Sequence, residues 1–218
     1  MTLALLFDLD GTMVDTDALH IAAWNAVLAP LGRQIDMAFY KARIMGFDAA
    51  ATGAALFPSA SHADHLAYCE TKEAAFRGLV STLEPTLGLP ALLDWADSRG
   101  LAKAVVTNAP RANALLMLRG LGLADRFPVL IIGEELAHGK PHPLPYLTGL
   151  QQLGASADRA VAFEDSLSGM RAAVAAGIES VGIATALDPA ALHAAGARWV
   201  VQDFTDPALR ARLQTLAG

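Results

Sequence analysis

The sequence predicts an α/β protein, a doubly wound parallel sheet with an inserted α-helical domain, and three observations carry that expectation. Short apolar runs recur along the chain, each followed by turn residues. Segments of helical period lie between them. From residue 15 to residue 85 the alternation lapses into helices alone, a longer interval than the ~30 residues in which a βαβ unit closes.

The apolar runs are Leu3 to Phe7, Lys103 to Thr107, Val129 to Gly133, Ala160 to Glu164 and Ser180 to Ala184. They are continuous rather than alternating, the pattern of strands buried on both faces, and such strands belong to parallel sheets covered by helices. Leu89, Leu92, Leu93 and Ala96 keep the i, i+3, i+4, i+7 spacing of an amphipathic helix, and Ala112 to Leu118 and Leu167 to Ala176 are rich in helix formers. Strand alternating with helix reads as a doubly wound sheet. Within the interval the helical stretches are His20 to Leu31, Met37 to Met45, Ala49 to Leu56 and Ala63 to Val80. The expected division is a core of residues 1–14 and 86–218 and a helical domain of residues 15–85, against the simpler alternative of a helical excursion over one sheet edge.

Composition bounds the function. With 218 residues, 54% hydrophobic and 17% charged, the chain has enough apolar content for one sizeable core plus a smaller inserted unit. A net charge of -6 leaves no basic field for nucleic acid or an anionic membrane, so neither is an expected partner. Cys69 is the single cysteine, which excludes an intrachain disulfide and suits a reducing compartment. The N-terminus lacks a basic segment, its apolar run stops at Asp8, and every later run is broken short of the ~18 residues of a membrane span. A cytoplasmic location is expected. Oligomeric state stays open, a monomer being compatible with the sequence.

Ligands of open α/β sheets bind beyond the carboxyl ends of the strands. At those ends the chain carries Asp8 and Asp10 after the first run, Thr107 and Asn108 after the second, Lys140 in HGKPHP after the third, and Glu164 and Asp165 after the fourth. Two carboxylates about 4 Å apart repel by roughly 4 kcal/mol at an effective dielectric near 20. A divalent cation relieves such a cluster, and oxygen ligands without Cys or His select a hard ion, foremost Mg²⁺. Lys140 adds a fixed positive charge. Phosphate fits as the balancing anion, with a hydroxyl from Thr107 and backbone N–H groups from Asn108 and the Gly11-Thr12 turn. In phosphoryl transfer through a carboxylate, one group attacks phosphorus while another serves the leaving alkoxide and then the water. Asp8, beside metal and Lys140, would stay ionised, and Asp10 could carry the proton.

DLDGT at 8–12, TN at 107–108, GKP at 139–141 and FEDS with a following SGM at 163–170 together resemble the four ordered motifs of the haloacid dehalogenase superfamily. The resemblance spans nearly the whole chain, and the helical insertion is similar to the cap of the phosphatase and β-phosphoglucomutase-like branch. It implies a Rossmann-type core with a cap, Asp8 as a nucleophile forming an aspartyl-phosphate, and Asp10 as general acid/base lending its backbone carbonyl to Mg²⁺. It implies Asp165 as a direct metal ligand, Glu164 as a direct or water-mediated one, and Thr107 and Lys140 as holders of the phosphoryl group. It also implies that the cap excludes water and reads the leaving group.

In the cap, His20 matches a histidine common near the hinge of this branch, and Lys72 a lysine that can face substrate. The plain alternatives are a partly exposed helix histidine and a solvated lysine. The mutases carry an arginine shortly after a glycine that aligns with Gly46, for the distal phosphate of a bisphosphate, whereas here Phe47, Asp48 and three alanines follow. Hydrolysis is therefore expected over mutase chemistry.

Other signatures fail. Gly133 to Lys140 has five residues between its glycines and Pro141 where a P-loop needs Ser or Thr. Gly120-Leu121-Gly122 has Asp125 at the third glycine of a dinucleotide fingerprint. The glycine of DLDGT follows too soon for a calcium-binding EF-hand loop. His138 and His142 have the spacing of a helical zinc pair, but Pro141 and Pro143 forbid the helix. The expected function is a Mg²⁺-dependent phosphatase acting on a small phosphorylated metabolite, a sugar or polyol phosphate. The alternatives are a β-phosphoglucomutase-like phosphomutase and a non-catalytic phosphate-binding regulatory protein. A dehalogenase would need neither Asp10 nor the Glu164-Asp165 pair.

Overall fold

The computed structural model describes residues 2–47 and 49–218. Its strands are β1 (Ala4–Phe7), β2 (Ala102–Thr107), β3 (Val129–Ile132), β4 (Ala160–Glu164), β5 (Glu179–Ile183) and β6 (Trp199–Val201), with helix α5 (Leu89–Ser98) before β2 and α6 (Arg111–Gly120) between β2 and β3. They form one sheet in the order β3-β2-β1-β4-β5-β6, every pairing parallel. The expected α/β class and doubly wound sheet are borne out. β6 escaped the sequence reading because it is a three-residue edge strand whose side chains are only partly covered.

β1 is buried along its whole length, with β2 on one side and β4 on the other. The chain builds outward from β1 to β3, then returns to β4 on the opposite side, so the strand order reverses between β1 and β4. Crevices at such reversals receive ligands, because the flanking connections diverge to opposite faces.

Both faces of the sheet are apolar for a reason visible in the register. Leu6, Ala104 and Ala162 are neighbours across three strands and share one cluster with Tyr146 and Leu150 of α7 (Leu144–Leu153) and Ala172 and Ala173 of α8 (Leu167–Ala175). One residue on, Phe7 and Phe163 pair on the other face with their rings stacked at 4.7 Å. Phe127 meets the Phe7 ring edge-on at 5.7 Å. Such aromatic contacts add about 0.5–1.5 kcal/mol each beyond their buried area.

The chain divides into two compact units, Met1–Asp15 with Glu84–Gly218, and Thr16–Leu83. The second unit holds α1 (Asp17–Leu28), α2 (Met37–Arg43), α3 (Ala49–Leu56) and α4 (His62–Leu79) around Trp24, Leu28, Tyr40, Ile44, Leu56 and Phe57. Ser61 and Asp64 close a capping box that starts α4. Asn25 pairs both ends of its side-chain amide with the backbone of Ile35, at 3.0 and 2.7 Å. The reading of the segment after Gly46 includes Asp48, which lies outside the described residues. No helix among the described residues is long and apolar enough to cross a membrane.

Candidate active site

The polar residues at the strand ends converge beside β1. Asp8 follows β1, Glu164 ends β4 with Asp165 next, and the Lys140 ammonium reaches in from the loop after β3. Lys140 Nζ donates to Asp8 Oδ1 at 2.6 Å and to Glu164 Oε1 at 2.6 Å. Tyr146 of α7 donates its hydroxyl to the same Glu164 oxygen at 2.6 Å. Thr12 Oγ1 donates to Asp165 Oδ1 at 3.3 Å. All of these groups are buried, Glu164 completely so.

Asp8, Glu164 and Asp165 each present an oxygen within 4.8 Å of the others, the single group of this kind among the described residues. One lysine does not balance three buried carboxylates. Burial pushes the Asp8 carboxyl up to about 7, Lys140 opposes the rise, and the charges of Glu164 and Asp10 add to it. Burial acts to lower Lys140, yet the two carboxylates it touches hold it above the ordinary lysine range. Lys140 alone therefore does not keep Asp8 ionised below neutral pH, so the expectation that Asp8 stays ionised beside metal and Lys140 depends on the metal. The donor set fits one: buried carboxylate oxygens, without sulfur or imidazole, suit a hard divalent ion such as Mg²⁺.

Two glycines make the cluster possible. Gly11 has φ +77°, and a Cβ there would lie 2.1 Å from Asp165 Oδ2. The close approach at Gly11 is thus to a carboxylate of the protein. Its N–H, read from the sequence as a phosphate donor, is already given to Val14 O at 2.8 Å, because the turn after β1 closes on itself. In α8, a Cβ on Gly169 would lie 2.0 Å from both carboxylate oxygens of Glu164.

Asp10 is half-buried, and its backbone bridges to Val14. Thr107 is buried at the end of β2, its hydroxyl oxygen accepting from Ala109 N at 2.9 Å. Asn108 directs its side chain to the Lys140 backbone. His138 and His142 are exposed with ring centroids 4.6 Å apart, and no third metal ligand joins them among the described residues.

In the second unit, His20 and Lys72 meet. The Lys72 ammonium donates to His20 Nδ1 at 2.7 Å and to Glu73 Oε1 at 2.9 Å. Phe76 stacks on the His20 ring at 4.3 Å. Lys72 is 5% exposed, so the reading of a solvated helix lysine is corrected: its stem is covered and its charge shared. Sequence reasoning missed Tyr146 and the Asn108 side chain. A tyrosine in an apolar helix reads as core, and no local pattern reports which distant backbone an asparagine meets.

A doubly wound sheet that gathers three carboxylates and a lysine at its reversal point defines the class, an α/β enzyme with a polar centre beside its first strand. The chain belongs to the haloacid dehalogenase-like hydrolase family, which it matches over residues 5–183. It is 33% identical over 198 residues to a phosphorylated carbohydrates phosphatase of Thermotoga maritima, covering 89% of this chain and 91% of that protein. It is 32% identical over 182 residues to a fructose-1-phosphate phosphatase of Escherichia coli, covering 82% and 95%. Among solved structures it superposes on CbbY of Rhodobacter sphaeroides in complex with phosphate with a TM-score of 0.81 and 27% identity, covering 94% of this chain and 96% of that one.

Proposed function

We propose that this chain is a Mg²⁺-dependent phosphatase that hydrolyses a small phosphorylated metabolite, a sugar or polyol phosphate, through a phosphoryl group carried on Asp8. The observation that carries the reading is the Asp8 carboxylate at the end of β1, bonded to Lys140 at 2.6 Å and grouped with Glu164 and Asp165. The similarity to two sugar phosphate phosphatases supports the substrate class.

In this reading an Asp8 carboxylate oxygen attacks phosphorus, the bond to the leaving alkoxide breaks, and Asp10 gives that alkoxide a proton. Asp10 then takes a proton from water, the water oxygen attacks phosphorus, and the bond to Asp8 breaks to release phosphate and restore the carboxylate. Lys140 offsets charge on Asp8 and on the phosphoryl oxygens, and the Thr107 hydroxyl and Asn108 N–H donate to those oxygens. Asp8, Asp165, Glu164 and the Asp10 carbonyl would hold Mg²⁺, which when bound supplies positive charge against phosphoryl oxygens and carboxylates alike. The unit of residues 16–83 serves as the cap, with His20 and Lys72 as its polar contacts. We place the protein in the cytoplasm, where its single thiol stays reduced.

No arginine follows Gly46 and Phe47 to hold a second phosphate, which favours hydrolysis over mutase chemistry. The test is release of inorganic phosphate from a panel of sugar phosphates, phosphoglycolate and nucleotides, with Mg²⁺ and with EDTA, including β-glucose 1-phosphate with a bisphosphate primer. Metal-dependent release on a few substrates supports the reading. Glucose 6-phosphate formed without phosphate release would mean a mutase.

A further inference from the structure

The loop that delivers Lys140 has no strand partner at that residue, yet its backbone is held at both polar atoms by one side chain. Asn108 Nδ2 donates to Lys140 O at 3.1 Å, and Lys140 N donates to Asn108 Oδ1 at 3.0 Å. The amide thus stands in for a strand edge, tying the end of β2 to the loop after β3. The space it occupies is made by two glycines. A Cβ on Gly133 would lie 2.2 Å from Asn108 Oδ1, and a Cβ on Gly139 would lie 2.9 Å from it.

Asn25 makes the same paired contact with Ile35, where the clamped residue is part of an apolar core. At Lys140 the clamped residue is a buried cation whose ammonium ends 2.6 Å from both Asp8 and Glu164. A shift of the backbone at residue 140 is carried to that ammonium, because burial leaves the side chain little room to compensate. Reaction rates are sensitive to displacements of this size when the moved group faces the reacting atoms.

We infer that Asn108 is a positioning residue for Lys140: its side-chain amide, seated against Gly133 and Gly139, fixes the backbone from which the ammonium reaches Asp8. This role is separate from any contact of the Asn108 N–H with phosphate. It rests on the proposed function only in giving Lys140 a catalytic task.

The test uses the full chain with its lysines labelled with ¹⁵N. There are four of them, and Lys140→Arg assigns the Lys140 amide by its disappearance. Amide hydrogen exchange is then measured in Asn108→Ala, Asn108→Asp and Gly133→Ala, together with turnover of p-nitrophenyl phosphate. Gly133 is not in the left-handed region, so alanine there crowds Oδ1 without straining the backbone. Exchange at Lys140 is expected to rise at least about tenfold in Asn108→Ala and Gly133→Ala, with Lys103 unchanged. Turnover is expected to fall about 10- to 100-fold in kcat, with KM changed by less than about threefold. Asn108→Asp keeps the acceptor for Lys140 N–H and is expected to recover part of both effects.

Should Asn108→Ala fail to fold, Gly133→Ala and Asn108→Asp carry the same comparison. Unchanged protection of Lys140, or lost protection with undiminished kcat, overturns the inference. A wild type that releases no phosphate would sink the functional reading instead, and the Lys140 exchange, which needs no turnover, would still decide whether the clamp exists.

Discussion

Gly169 leaves Glu164 its place: a methyl on the Gly169 Cα would sit 2.0 Å from each oxygen of the Glu164 carboxylate. The two residues lie on opposite sides of the turn from β4 into α8, where Ser166 caps the helix by accepting from Gly169 N at 3.0 Å. Alanine in a helix is ordinarily favoured over glycine by about 1 kcal/mol. Here Gly169→Ala is expected to give no stabilisation and to raise the Mg²⁺ concentration for half-maximal activity about tenfold or more, because Glu164 must leave its bonds to Lys140 and Tyr146. A Mg²⁺ titration of activity beside a thermal melt reads both.

Tyr146 bears on the same carboxylate from the other side. Removing its hydroxyl in Tyr146→Phe leaves Glu164 Oε1 with Lys140 as its remaining partner in this network. The expected cost is about 1–3 kcal/mol of stability. Metal affinity is expected to weaken by about 10-fold, as for other residues that orient a metal ligand. Denaturant unfolding and Mg²⁺ calorimetry are the measurements, and an unchanged Mg²⁺ affinity would contradict the assignment.

Asp8 gives the metal-free protein a defined pH dependence. Its carboxyl is raised from 3.8 to about 7, foremost by burial, so between those values the folded state binds the extra proton. Stability from this group is therefore fully present below 3.8 and is lost as pH rises through about 7. A divalent cation that binds the ionised cluster reverses the trend. The Tm gain on adding Mg²⁺ is expected to be larger at pH 8 than at pH 5.5, by more than about 2 °C. Asp8→Asn is expected to flatten this difference.

Buried Lys72 and half-buried His20 form a polar pair in the second unit, and the proposed cap role gives them substrate selection rather than metal binding. Lys72→Ala is expected to change kcat/KM for the preferred sugar phosphate by about 10-fold or more, consistent with loss of a charge-assisted contact. The Mg²⁺ dependence is expected to stay as in the wild type. Kinetics across the substrate panel check the first expectation, and a Mg²⁺ titration the second.

The strands of the central sheet were legible because both faces of β1, β2 and β4 are buried, which leaves continuous apolar runs such as Leu3 to Phe7. The turn residues after them marked where Asp8, Thr107, Glu164 and Asp165 leave the sheet. β6 was not legible: three residues, two of them half-exposed, carry too little pattern. Nor were the contacts that set the geometry of the centre. Gly11 against Asp165, Gly169 against Glu164 and Asn108 across Lys140 join residues through space, and periodicity reports only what a residue's own element buries.

The central claim is that Asp8 carries the phosphoryl group. The direct measurement is mass spectrometry of the peptide containing Asp8 after the enzyme, with Mg²⁺ and a sugar phosphate it turns over, is quenched in acid within the first turnover. The account predicts a phosphoryl group on Asp8 that is absent in EDTA, and a loss of at least about 10³-fold in turnover for Asp8→Asn. Rapid phosphate release with Asp8 unmodified throughout, or substantial turnover by Asp8→Asn, would contradict it.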